Sequence, residues 1–141
     1  MNTYTVRYLG RLRTEMQHDE SGAIVVTDAP KDNQGEGSAF SPTDLVSAAT
    51  GACMLTIIGI RAAQSAVEIL EMSCTVKKIM GGPPRRIVGL EIEVQLRIAP
   101  DTAQWRTVLE EAARNCPVIL SLNPEIKKEI CFKWKTASET T

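Results

Sequence analysis

The run from Ser41 to about Ala66, SPTDLVSAATGACMLTIIGIRAAQSA, constrains the fold more than any other stretch of the chain. Ser41 is an N-cap residue, Pro42 suits the first helical position, and Asp44 stands where a capping-box acid reaches back, so the pattern predicts a helix starting here. Leu45, Val46, Ala48, Ala49, Ala52, Met54, Leu55, Ile57, Ile58, Ile60, Ala62 and Ala63 then cover nearly every face, and no charge falls between Asp44 and Arg61. Such a helix is expected to be buried on most of its surface. Gly51 and Gly59 cost helix stability but let another backbone approach closely. Cys53, near the middle, is carried toward the interior on this helix.

The 16 uncharged residues between Asp44 and Arg61 fall short of the roughly 20 needed to span a bilayer. They are also rich in Ala, Gly, Ser and Thr. The N-terminus, MNTYTVRYLG, has no basic segment followed by an apolar run, so no signal peptide is expected. With 141 residues and a formal net charge of -1, the chain is expected to form one domain, 1–141, with no nucleic-acid or membrane partner. We expect a cytoplasmic protein. In that reducing compartment its four cysteines are read as metal ligands, redox groups or plain core residues rather than structural disulfides.

Before the helix, Thr3 to Leu9, Arg11 to His18 and Ala23 to Thr27 read as three strands of a meander. The polar segment DAPKDNQGEGSA, Asp28 to Ala39, is a long loop leading to the helix cap. After the helix, Glu68 to Met80 alternates, with Leu70, Met72, Cys74 and Val76 on one face. Gly81 to Pro84 makes a turn. Val88, Leu90, Ile92, Val94, Leu96 and Ile98 then line one face of the clearest strand, completing an antiparallel hairpin. Asp101, with Gln104 three residues on, is expected to cap a second helix with the stripe Trp105, Val108, Leu109 and Ala112. Cys116 and Pro117 open a short apolar turn, and Lys127 to Lys135 is the last strand. The sum is an α+β domain in which sheets wrap apolar helices.

Assembly follows from length. A helix of about 25 residues runs roughly 37 Å, whereas a domain of this size has a radius of gyration near 14 Å. One copy can hardly cover it on all sides, so an obligate homodimer is expected, the two central helices burying each other.

Candidate chemistry centres on sulfur. Cys74 lies on an apolar strand face and reads as core; Cys131 alternates with charged residues and nothing nearby marks it as reactive. For Cys53, helix position alone fits a core residue as well as a reactive thiol, and a thiolate there would need a cation from another element. Cys116 sits at a helix start, where backbone N–H groups can stabilise a thiolate. The single histidine, His18, reads as a surface residue near a turn rather than a Cys-His base. With no CxxC and the cysteines scattered singly, no metal site is expected. No phosphate loop or GxSxG elbow occurs either.

The segment FSPTDLVSAATGACMLT around Cys53 resembles the signature of the OsmC/Ohr family of thiol-dependent peroxidases, where a helix opening with Asn/Ser-Pro carries the peroxidatic cysteine. NCPVILSLNPEI around Cys116 resembles the family's second-cysteine motif. The element order is also similar, so the likeness spans essentially the whole chain. It implies the OsmC-like fold, antiparallel sheets wrapped around a long central helix in an intertwined homodimer. It also implies a cytoplasmic antioxidant enzyme of the oxidative stress response that reduces organic hydroperoxides without a cofactor. Cys53 would become a sulfenic acid, Cys116 would resolve it to a disulfide, and an external dithiol, for instance lipoyl, would restore both. The resemblance further implies an arginine from the N-terminal strands at the thiolate. Arg13 is preferred for its setting in LRTE, with Arg11 second, since alternation places both on one strand face.

The family's glutamate ten residues before the cysteine is replaced by Thr43, with Asp44 beside it as both expected cap and alternative acid. This departure marks a divergent OsmC-like branch. Met54, Leu55 and Ile58 are expected to form an apolar substrate pocket at the dimer interface. The alternative reading keeps the fold as a small-molecule binding or redox-sensing protein whose cysteines oxidise without efficient turnover.

Overall fold

A bond from the Ser41 amide to Asp44 Oδ2 at 2.9 Å, answered by one from the Asp44 amide to Ser41 Oγ at 3.1 Å, closes the expected capping box. The helix it starts, α1, runs Pro42–Gln64. The computed structural model describes residues 2–136 and divides into two units, residues 1–46 and 47–141, with α1 crossing the boundary after its first turn.

The first unit is the meander β1 (Tyr4–Gly10), β2 (Arg13–His18) and β3 (Ile24–Asp28), antiparallel in the order β1-β2-β3. The second strand begins later than the expected Arg11. Arg11 (φ 55°) and Leu12 (φ 62°) form a two-residue hairpin turn between the paired Gly10 and Arg13. Positive φ at both positions is what a hairpin of this length requires to match the strand twist. Arg11 therefore belongs to a turn and does not share a strand face with Arg13. The loop after β3 is closed at its neck, the Asp28 amide donating to the Phe40 carbonyl at 3.0 Å and the Gly37 amide to Ala29 at 3.1 Å.

The second unit is built on one sheet of β4 (Glu68–Gly81), β5 (Arg86–Ala99) and β6 (Lys127–Trp134), with α2 (Ala103–Arg114) and α3 (Pro117–Ser121) between β5 and β6. β4 and β5 form the expected antiparallel hairpin, but β6 runs parallel to β5. The expectation of wholly antiparallel sheets is corrected here. The chain returns through α2 and α3, and a helical crossover brings a strand back in the same direction. Leu90, Ile92, Val94, Leu96 and Ile98 are buried as the alternation of β5 predicts, each contributing roughly 1.5–3 kcal/mol.

Two local expectations fail for identifiable reasons. A register shift between Ile69 and Glu71 turns Leu70 outward, 37% exposed, and leaves Ile69 opposite Ile98; a bulge moves the side chains beyond it to the other face. α2 is capped by Thr102, whose Oγ1 accepts from the Trp105 amide at 3.1 Å. Asp101 instead clasps Arg106 with two bonds of 2.7 Å.

On α1 the buried stripe is Ser47, Thr50, Gly51, Met54, Ile58 and Ala62. Ala49, Ala52, Thr56, Ile60 and Ala63 form the other face and are exposed in the single chain. In the single chain the helix is thus buried along one stripe. It meets the length and hydropathy of a membrane span, a test that the core helix of a soluble protein also passes. Met54, Ile58 and Ala62 join Leu90, Val94 and Leu109 in one core. Contact with β4 is close at Gly51, where a Cβ would come within 2.8 Å of Cys74 Sγ and 2.9 Å of Val76 Cγ2. At Gly59 nothing lies within 4 Å. Gly51→Ala is accordingly expected to lose about 1 kcal/mol or more in urea unfolding, overpacking of roughly 1–3 kcal/mol outweighing a helix-propensity gain of about 1 kcal/mol. An unchanged or raised midpoint would contradict this packing.

Candidate functional site

The second unit brings Cys53 and Cys116 together. Cys53 leaves α1 one residue before the buried Met54 and is half-buried; Cys116 ends the α2 segment three residues after the buried Ala113 and has no exposed surface. Cys53 lies close enough to act on the Cys116 thiol. Both thiols are free, so the pair is described in its reduced form.

Their environments differ. Cys116 is the N-cap of α3, and its Sγ accepts from the Ile119 amide at 3.5 Å. The helix-start argument predicts a stabilised thiolate, yet the net effect runs the other way. Burial pushes the Cys116 thiol up from its ordinary value of 9.0, the adjacent Cys53 adds to the rise, and the Ile119 and Val118 amides oppose it. A five-residue helix with one long N–H···S contact does not offset the desolvation of a sealed thiolate. Cys116 thus holds its proton in neutral solution.

Cys74 packs against Gly51, and burial raises its pKa too, consistent with a core residue. Cys131 is exposed. His18 Nδ1 bonds to Ser21 Oγ at 2.6 Å in the β2–β3 turn, a surface arrangement. Met54 and Ile58 are fully buried under the sheet. Of the three residues expected at a substrate pocket, Leu55 retains some surface.

In the first unit, Arg13 opens β2 directly opposite Asp28 and is exposed. Thr43 lies in the cap, 3.2 Å from Ser41 Oγ, and Asp44 is the capping-box acid. Sequence reasoning passed over Asp28, treating it as the start of a polar loop. It is completely buried, with Ser38 bonded to Oδ2 through both its amide and its hydroxyl. These bonds, and after them the field of Arg13, hold its carboxyl below the usual range. An acid at a strand end followed ten residues later by a serine was the available signal.

The family model of OsmC-like proteins matches residues 35–130. Among solved structures, a Psychrobacter arcticus 273-4 protein assigned provisionally to the osmotic stress induced and detoxification response is 38% identical, with TM-score 0.87, covering 94% of this chain and 96% of that one. The Legionella pneumophila organic hydroperoxide resistance protein OsmC has TM-score 0.73 at 17% identity, covering 94% and 96%. The Bacillus subtilis organic hydroperoxide resistance protein OhrB has TM-score 0.66 at 17% identity, covering 96% and 98%. At such identity the last two are likenesses of fold. No curated protein matches the chain.

The contrast between the cysteines is measurable. Alkylation by iodoacetamide at pH 7, followed peptide by peptide, is expected to modify Cys131 and Cys53 well before Cys116. Raising the pH past 9.0 should also lower the unfolding free energy, because unfolded Cys116 ionises there while the folded thiol stays protonated. Cys116→Ser should flatten that decline; an equal decline in both proteins would refute the burial argument.

Proposed function

The chain belongs to the OsmC-like family, and on that footing we propose that it is a thiol-dependent peroxidase acting on organic hydroperoxides. The observation that carries this reading is the meeting of Cys53 with Cys116, which lie far apart in sequence. The half-buried Cys53 is the attacking sulfur. Its thiolate takes the terminal peroxide oxygen, the O–O bond breaks, and the alcohol leaves with a proton, making Cys53 a sulfenic acid. Cys116 Sγ then displaces the sulfenic hydroxyl, which departs as water with the Cys116 proton, and a disulfide forms. An external dithiol, lipoyl or another, returns both cysteines to thiols. No cofactor is required. Arg13 is the proposed cation for the Cys53 thiolate; Arg11, confined to its turn, is the weaker candidate.

We also propose a homodimer. The exposed α1 face of Ala49, Ala52, Thr56, Ile60 and Ala63 carries mostly small side chains, which let a second helix lie close. On the meander, Tyr4, Val6 and Tyr8 are each more than 60% exposed on one face, which also favours a partner. A cytoplasmic setting suits the free thiols.

One observation favours a second reading, in which the cysteines oxidise without efficient turnover. Thr43, which carries no charge, stands ten residues before Cys53, where the resemblance places the family's glutamate, and Asp44 forms the capping box with Ser41.

Thiol titration before and after one equivalent of cumene hydroperoxide separates these readings. Loss of two thiols and rapid recovery with a dithiol is the expected result. Slow or absent recovery favours the sensor, and unchanged thiols exclude both. Cys53→Ser should abolish peroxide consumption, while Cys116→Ser should leave a trappable sulfenic acid. Sedimentation should show a dimer, and a concentration-independent monomer would exclude it.

A further inference from the structure

The four cysteines stand singly in the amino-acid sequence, and on that ground no metal site is expected. The fold removes that ground by bringing two of them together. Cys53 packs from α1 against the core to which Cys116 belongs, and it lies close enough to act on the Cys116 thiol. The other two sulfurs are elsewhere. Cys74 lies against Gly51, and residues 51 and 53 of a helix point about 200° apart. Cys131 is exposed and alternates on β6 with Ile130 and Phe132, which pack against the core.

Two sulfurs select among metal ions. Among the described residues no group of three or more His, Cys, Asp and Glu side chains could hold a metal, so the ligand sets that zinc, calcium or magnesium require are not assembled there. A soft ion that binds two thiolates in a line needs no further ligand. Burial adds a condition on charge. Cys116 has no exposed surface, and a sealed site tolerates net charge poorly. A divalent ion between two thiolates is neutral, whereas a cuprous ion would leave one negative charge there.

We infer that reduced Cys53 and Cys116 form a two-coordinate site for a soft divalent cation of the mercuric class. Each S–H bond breaks as an S–Hg bond forms, the two protons pass to the buffer, and nothing is oxidised or reduced. The Ile119 amide, 3.5 Å from Cys116 Sγ, still has a sulfur lone pair to donate to. The site needs the meeting of the two thiols and not peroxide turnover.

The test adds one equivalent of mercuric chloride to the reduced full chain in a roughly tenfold excess of glutathione, which strips mercury held by a single thiol. Wild type should keep one mercury by intact mass, with the Cys53 and Cys116 peptides protected from alkylation and the Cys131 peptide modified. X-ray absorption at the mercury edge should show two sulfur neighbours. Cys53→Ser and Cys116→Ser should each weaken retention about a hundredfold, the gain expected from holding an ion at two points, and Cys131→Ser should leave it unchanged. Protection of Cys131, three or more sulfur neighbours, retention in Cys116→Ser, or complete loss of mercury from wild type to glutathione overturns the inference. The mass, protection and absorption readouts are made on wild type, so they stand even where a variant fails to fold. Mercury retention with thiols that cumene hydroperoxide leaves unchanged would refute the peroxidase reading and keep the site; peroxide turnover without retention would do the reverse.

Discussion

The close seat of α1 on β4 at Gly51 determines much of the second unit. Only a hydrogen fits between the helix axis and the Cys74 and Val76 side chains, so the helix can lie deep enough for Met54, Ile58 and Ala62 to enter the core. Successive helical residues are rotated by about 100°, which turns Cys53 off that stripe and leaves it half-buried. α2 reaches the same core with Leu109 and Ala113, and Cys116 follows one turn later. The two thiols meet because two helices share one face of one sheet.

That shared core also makes the thiols unequal. Cys116 has the amide of Ile119, but it has no water, and desolvation is the stronger influence on its proton. A protonated, sealed thiol is a poor first nucleophile. It is well placed to act second, when its neighbour has become an electrophile and the proton is needed to form water. The division of roles proposed for the pair therefore follows from burial rather than from the local helix dipole.

What could be read in advance was whatever depends on side-chain period and local capping. The Ser41–Asp44 box, the alternation of β5 and the stripe of α2 involve residues within a few positions of one another, and each is found. The misreadings involve backbone geometry or distant chain. Arg11 and Leu12 adopt left-handed conformations without the Asn or Gly that usually announces such a turn. The Leu70 bulge leaves an apolar residue outside although its alternation looks unbroken. Thr102 and Asp101 are both good caps, and the choice between them was decided by Arg106. The direction of β6 depends on the α2–α3 crossover. The paired cysteine motifs were legible at the site, but the burial that orders their reactivity was not, because it depends on how much of the core closes over Cys116.

The charges show the same contrast with greater consequence. Within one straight helix, a residue ten positions from Cys53 is about 15 Å away along the axis, so neither Thr43 nor Asp44 can reach the sulfur on its own helix. Asp44 exchanges hydrogen bonds with Ser41 in the cap. A cation for a mid-helix thiolate must come from a different element, and a strand can hold one rigidly because a cross-strand neighbour can brace it. In the meander the cross-strand neighbour of Arg13 is Asp28, whose buried carboxylate closes the loop through Ser38. A residue that reads in the sequence as the start of a loop is thus, once the register is known, a buried strand-end acid facing an arginine across the ladder.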